Sequence, residues 1–429
     1  MDGLKHSAYF TLKKKDYNEI MARLKGGNAV LNTLANQNSS LEPTRRSRSQ
    51  AKLARLVRKL SKGMYTALQN VITCSCSSSH NLGLEMSPRK DIMLPGDEED
   101  EIAQSLDFGV VIGSHVQKQL QRWDKVRVQL AANEIVLPST PPTTPSPDMP
   151  RSRSPRVRWS IRTPQTTVVV SKATDQHASH LSVSVQGSPI LQPSAITNLC
   201  HMLRKGKGKA TVPDYCGYIS NTASKFNLFH QHCQPENLSA VTLRTILNGP
   251  GSVMKQFKYA QRLEIAICLS YSVLHLYNTP WLARTFTTDD IVFIMEQPNC
   301  LGRPFLARVL PKLSASAYNP PEQATFRPMD LTILSLGLVL IQVIVGRHIE
   351  DLAVDPDNKG MDSIISKQEA ASQMTGSILE NGGMNYANAV QWCLSSVLSV
   401  ACLDDENVGQ EFHEAVISRL EADMRRLGG

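Results

Sequence analysis

Leu331-Thr-Ile-Leu-Ser-Leu-Gly-Leu-Val-Leu-Ile-Gln-Val-Ile-Val345 is apolar on nearly every face and is closed by Gly346. A helix without a polar face is buried, with other helices packed around it. From Ile333 to Val345 it runs 13 residues, with Ser335 and Gln342 inside. A bilayer span needs about 20 residues. The stretch therefore predicts a core helix, and no transmembrane segment. Its lead-in is Tyr318-Asn-Pro-Pro-Glu322.

Working outward, the second half of the chain reads as helical. Phe257 to Leu276 is a long helix with Leu263, Ile267, Tyr271 and Leu274 in one stripe. It ends at Thr279-Pro280-Trp281-Leu282. Leu243 to Leu247 is a short helix stopped by Asn248-Gly249. Asp290 to Ile294 and Pro304 to Leu310 read as strands, followed by a polar loop around Asp355 to Gly360. Helices near 363–380 and 385–402, then Gln410 to Leu427, complete the chain.

The region from 73 to 253 reads as strand-rich. His80 to Met86 alternates apolar Leu82, Leu84 and Met86. Phe108 to Ile112, Thr166 to Lys172, Tyr215 to Ser220 and Lys225 to His230 are further strand candidates. Residues 116–136 form a helix or an irregular strand, and Ser194 to Leu203 a helix. Cys74-Ser-Cys76-Ser-Ser-Ser-His80 joins two thiols and an imidazole. The Cys-x-Cys gap is tighter than the roughly two-to-four-residue spacing of zinc ligands, and no fourth ligand is near in sequence. It is read as the lead-in to a strand, with no metal.

Residues 138–165 are rich in proline, serine and arginine and predict a disordered insert. Thr140, Thr144, Ser146 and Ser154 each precede a proline there and are candidate phosphorylation sites.

Residues 1–72 predict basic helices. Asp16 caps one that carries Ile20, Leu24, Val30 and Leu34, weakened by Gly26-Gly27. A loop is expected from Asn36 to Ser49. In the next helix Leu53, Val57, Leu60, Met64, Leu68 and Val71 share a face. Lys52, Arg55, Arg58, Lys59 and Lys62 occupy the rest, either as a solvated back or as a surface for anionic lipid or nucleic acid.

The 429 residues suggest two or three domains. The net charge of +8 resides in residues 1–90, which hold 16 Lys+Arg and 5 Asp+Glu. Met1 to Phe10 lacks the apolar core of a signal peptide. The nine scattered cysteines then read as reduced thiols of an intracellular protein, cytoplasmic or nuclear.

The second half resembles the helical lobe of a protein kinase. Arg262, Ile265, Ala266, Leu269 and Leu274-His275 resemble the helix before a kinase catalytic loop. Asp290-Ile291-Val292 is similar to that loop's close, and Pro320-Pro321-Glu322 to the end of an activation segment. Ser335-Leu336-Gly337 then resembles the start of the lobe's central helix. More narrowly, the chain resembles an uncharacterised fungal family of degenerate kinase-like proteins. The shared features are Cys-x-Cys before His-x-Leu-x-Leu, Ile196-x-x-Leu-Cys200, and Leu-His-Leu followed by Thr279-Pro-Trp-Leu282. Relatives of that family often carry an N-terminal helical module of the self/non-self recognition type. The resemblance implies an α+β, kinase-like two-lobed fold: a basic helical segment at 1–72, a reduced strand-rich lobe at 73–253 and a helical lobe at 254–429.

Phosphoryl transfer in kinases needs a catalytic-loop Asp, metal-binding Asp and Asn, a Lys–Glu pair and a glycine-rich lid. Between His275 and Thr288 there is no Asp, and no Asp-Phe-Gly follows residue 294. The Asp107-Phe-Gly109 triplet precedes any catalytic loop and is a decoy. Lys172 could imitate the strand lysine, but Ala173 to Pro235 holds no Glu to pair with it. Asp330 falls two residues out of register with the family's helix-start Asp. Asp289 and Asp290 are the only acidic pair in the right neighbourhood, a metal or nucleotide remnant or simply a loop cap. The expectation is a catalytically inactive scaffold with an unidentified protein partner and no ATP or magnesium. The alternatives are a residual nucleotide binder through Lys172, Asp289 and Asp290, and a membrane- or nucleic-acid-associated protein. Thr279, Pro280, Trp281, Leu282, Pro321, Glu322, Ser335 and Gly337 are expected to be structural.

Overall fold

The computed structural model describes residues 2–73, 80–94, 98–116, 120–131, 194–205, 214–231, 238–249, 257–297, 300–310, 331–352, 361–396 and 402–428. Residues 1–131 and 194–429 form one compact unit, and 132–193 a second that lies outside the described residues. The expected insert at 138–165, its sites Thr140, Thr144, Ser146 and Ser154, and the strand ending at Lys172 fall there. Cys74, Cys76, Pro320, Pro321, Glu322 and Asp330 are outside the described residues as well.

The core is built on the helix read first from sequence. This helix, Leu331–Val345, is buried from Thr332 to Ile344. It stops where expected: Gly346 has a φ of +74° and donates its N–H to Gln342 O at 2.9 Å. Arg262 donates to Ile344 O at 2.8 Å and satisfies another terminal carbonyl. Gly337 permits a close helix crossing, because a Cβ there would stand 3.0 Å from Cys393 Cβ.

In chain order the elements are α1 (Asp2–Val71), β1 (His80–Glu85), α2 (Glu99–Ser105), β2 (Asp107–Val116) and β3 (Leu120–Leu130). Next come α3 (Leu199–Lys205), β4 (Asp214–Ser220), β5 (Lys225–Gln231), β6 (Ser239–Thr242), α4 (Leu243–Asn248) and α5 (Tyr259–Leu276). The chain continues with β7 (Ile291–Gln297), β8 (Cys300–Leu310), α6 (Leu331–Val345), α7 (Met361–Gln373) and α8 (Thr375–Ser395). It closes with α9 (Glu406–Phe412), a π-helical turn (His413–Ile417) and α10 (Ser418–Leu427).

The eight strands among the described residues join one antiparallel sheet in the order β4-β5-β3-β2-β1-β8-β7-β6. Residues 120–130, read as helix or irregular strand, are strand, with Trp123, Val126 and Val128 buried. The ladder between β1 and β8 runs from His80↔Leu310 to Glu85↔Phe305. It joins strands from the 73–253 region to strands from the 254–429 region.

The largest departure from expectation is α1. It is one helix of 70 residues, about 105 Å at 1.5 Å per residue, with no loop at 36–49. The helix instead runs on through Pro43, and the end of the expected loop makes tertiary contacts. Ser47 Oγ lies 3.1 Å from His413 Nδ1, Gln50 donates to Ile92 O at 2.9 Å, and Ser49 Oγ accepts from Leu94 N at 2.7 Å. Ser47 and Ser49, at the end of the expected loop, and Gln50 just after it are thus paired inside the protein, whereas residues 36–41 stay exposed on a continuous helix. Further toward the N-terminus the helix is solvated, and Ile20, Leu24, Val30 and Leu34 are exposed.

Candidate functional site

The loop from Tyr277 to Asp290 joins α5 to β7. Asn278 turns the chain with a φ of 54°. Thr279, 4% exposed, donates Oγ1–H to Leu276 O at 2.6 Å and closes the end of α5. Trp281 is fully buried, donates Nε1–H to Ser61 O of α1 at 2.9 Å, and stands nearly perpendicular to the Tyr65 ring with centroids 5.1 Å apart. Leu282 is buried beside it, whereas Pro280 is exposed and anchors nothing. Trp281 is thus buried in the loop, and its carbonyl partner lies on α1.

The acidic pair ends the same loop, and each carboxylate has an arginine. Asp290 Oδ2 accepts from Thr287 N at 2.8 Å and from Thr287 Oγ1 at 3.3 Å, while Oδ1 lies 3.4 Å from Arg308 Nη1. Arg308 also donates Nε–H to Trp281 O at 3.0 Å. Asp289 Oδ2 lies 3.0 Å from Arg244 Nη1. Asp290 thus caps a turn and ties it to β8, and Asp289 ties the turn to α4.

Beneath the loop is a cavity of about 470 Å³. Its floor is Phe286, Leu338, Val339 and Leu352, with Ser335 and Gln342 of α6 alongside. Its polar lining includes Arg244, Asp289, Asp290, Arg308 and His348. The His348 side chain is only 4% exposed, with Nε2 3.5 Å from Glu350 Oε1. Sequence reasoning missed Arg244, Arg308 and His348 as neighbours, because they come from three separated segments and share no motif. Ser335 and Gly337 split their roles: Ser335 faces the cavity, and Gly337 faces Cys393 on the opposite side of α6.

The expected basic surface is corrected by the structure. Arg58 is buried at 5% exposure and is not part of any surface. Its Nε and Nη2 donate to Leu274 O at 3.0 and 2.6 Å, and Nη1 donates to Leu403 O at 2.8 Å and to Asp404 at 3.2 Å. It satisfies a carbonyl left open at the end of α5, where a cation is also favoured by the helix dipole. Burial lowers the guanidinium pKa, and Asp404 works against that shift. Arg55 pairs with Glu406. Lys52 is half-buried, and Lys59 and Lys62 remain exposed.

Among the described residues no group of three or more His, Cys, Asp or Glu side chains is arranged to hold a metal. No described helix is long and apolar enough to cross a membrane. A family profile described as a domain of unknown function, DUF7580, matches residues 51–425.

The chain belongs to the DUF7580 family.

The match spans the C-terminal, buried end of α1 from residue 51, the whole described sheet and the core helices, so the loop and cavity belong to the DUF7580 domain. No curated protein matches the DUF7580 chain.

Proposed function

We propose that this DUF7580 chain is a catalytically silent, kinase-like scaffold that acts by binding a protein partner. The observation that carries the reading is the β1–β8 ladder, hydrogen-bonded from His80↔Leu310 to Glu85↔Phe305. In a kinase-like chain that line divides the two lobes, and an open cleft there would receive the nucleotide. A continuous ladder between β1 and β8 would leave no open cleft along such a line. Two further features support the same reading. Asp289 and Asp290 are each committed to an arginine. The helix following the third strand, α3, reads Leu-Cys-His-Met-Leu-Arg-Lys and holds no acidic residue to pair with a strand lysine, a pairing that active kinases require. Fungal signalling or incompatibility-type responses, inside the cell, are the setting that the family resemblance suggests for such a scaffold.

Thermal unfolding with and without ATP and magnesium tests this. A ligand at about 100 times its dissociation constant stabilises by about 2.7 kcal/mol. We expect no shift and no transfer of labelled phosphate. A nucleotide-dependent shift that disappears in Asp290→Asn would overturn the proposal.

A second reading, a retained small-molecule pocket, has one observation in its favour. The 470 Å³ cavity under the loop falls within the roughly 300–1,000 Å³ range of ligand sites, and buried His348 lines it. Stabilisation by a small-molecule panel that His348→Ala abolishes would select it.

A further inference from the structure

We propose that the outer part of α1 pairs with the same segment of a second copy of this chain, as a parallel two-stranded coiled coil from Tyr17 to Leu41. Every residue from Asp16 to Leu41 is exposed except Met21, which is half-buried. The apolar side chains in this stretch are regularly placed. Counted in sevens from Tyr17, the a positions hold Tyr17, Leu24, Leu31 and Asn38. The d positions hold Ile20, Gly27, Leu34 and Leu41. The steps alternate between three and four without a break. That is the 3.5-residue period of a left-handed coiled coil, whose a and d side chains enter holes on a facing helix. The six large apolar members are each between 55% and 65% exposed. A continuous apolar stripe left in water marks an interaction surface.

The body of the chain does not cover this seam. Continued at the same spacing into the buried end of α1, it falls on Arg45, Arg48, Lys52 and Arg55, whereas Leu53, Val57, Leu60 and Met64 meet the core. Where it reaches the body, the seam is therefore on the side of α1 turned away from the core. Like charges at Arg45 and Arg48 of two copies repel, which ends the pairing after Leu41.

The seam suits a second copy. Asn38 is the one polar a residue between Tyr17 and Leu41, and a buried Asn at a single a position fixes register and a two-stranded state. A foreign helix would have to supply its own polar group at that layer; an identical, parallel one supplies Asn38 automatically. The flanks agree. A parallel pair sets Asp16, Arg23, Val30 and Gln37 against Met21, Asn28, Ala35 and Glu42 of the second copy. None of these pairs joins like charges, Val30 with Ala35 is apolar, and Gln37 offers an amide donor to the Glu42 carboxylate. The area is sufficient as well. A seam about 36 Å long, taken over half the circumference of a helix about 12 Å across, presents about 700 Å² per copy. A standard stable interface uses about 800 Å² per partner.

The test is sedimentation equilibrium of the full chain, where the wild type should show twice the mass of one chain. Leu31→Glu with Leu34→Glu should give a monomer whose core melts unchanged, because both leucines are exposed in the single chain. Lys25→Glu, off the seam, should remain a dimer. Asn38→Leu should lose the two-copy state and form larger assemblies. A wild type that stays monomeric throughout the micromolar range would overturn the proposal, and so would a dimer that the double leucine variant leaves intact. A dimer unchanged by Asn38→Leu would remove the parallel register. A monomer that binds phosphatidylserine vesicles through these leucines would give the seam to a membrane instead, and the proposal would fall.

Discussion

Trp281 donates its indole N–H to the carbonyl of Ser61 at 2.9 Å, so the loop after α5 is pinned to a helix more than two hundred residues earlier. The bond is buried, and Trp281 is fully enclosed, with the Tyr65 ring packed nearly perpendicular to it. Trp281→Phe keeps most of the apolar volume and strips the donor from a buried carbonyl. The expected cost is about 2–3 kcal/mol, from the orphaned acceptor and the unfilled space. Urea unfolding followed by circular dichroism measures it. A loss below about 0.5 kcal/mol would mean that the anchor is incidental.

Arg58 should be among the costliest single positions in the chain. Arg58→Ala removes a buried cation from the carbonyls of Leu274 and Leu403 and from Asp404. Breaking a buried ionic arrangement of this kind costs about 3–5 kcal/mol. Arg58→Lys keeps the charge but loses the fork, so it should fall between wild type and Ala. By contrast, Lys59→Glu and Lys62→Glu lie on the exposed side of the same helix and should change stability by less than about 0.5 kcal/mol.

Acid should destabilise the fold through its buried histidines. His413 has its pKa pushed down to about 4 by burial and, to a lesser degree, by Arg46. Its Nδ1 faces the hydroxyls of Ser47 and Ser418, and its ring lies beside Tyr271. The folded value is below the unfolded one near 6.5, so the unfolded chain binds the proton first. The stability contributed is present above about pH 6.5 and is lost as pH falls toward about 4, up to about 3 kcal/mol for this group. His275, also lowered by burial, acts in the same direction. Melting temperature measured from pH 7 to pH 4 should fall more steeply for the wild type than for His413→Gln.

The outer part of α1 carries an avoidable weakness. Gly26 and Gly27 are exposed, and a Cβ at either would meet nothing within 4 Å. Gly26→Ala and Gly27→Ala should each favour the helix by about 1 kcal/mol. Amide exchange around residues 20–35 should slow by about fivefold per substitution, with the core amides unchanged.

Periodicity and punctuation made much of the architecture readable. The apolar run Leu331–Val345 and its Gly346 stop, the long helix ending at Leu276, and the strands at His80, Tyr215, Lys225 and Ile291 all follow from local pattern. Two errors share a cause. The loop expected at 36–49 and the basic surface expected at Arg58 were inferred from polarity, and polarity reports solvent only where no distant partner exists. Ser47 at the end of that stretch and Arg58 have such partners at His413 and Leu274, while residues 36–41 are solvated yet helical.

The candidate site divides in the same way. Asp289 and Asp290 were visible as an acidic pair, but their arginines come from α4 and β8, and His348 from beyond α6. Local sequence decided which segments are helix, strand or turn, because φ/ψ preference and side-chain period act over a few residues. The tertiary structure alone decided the rest: that β8 pairs with β1, that Trp281 reaches Ser61, and that Cys200 meets His80. Such meetings depend on burial shared between segments far apart in the chain, and that energy is not written in any one of them.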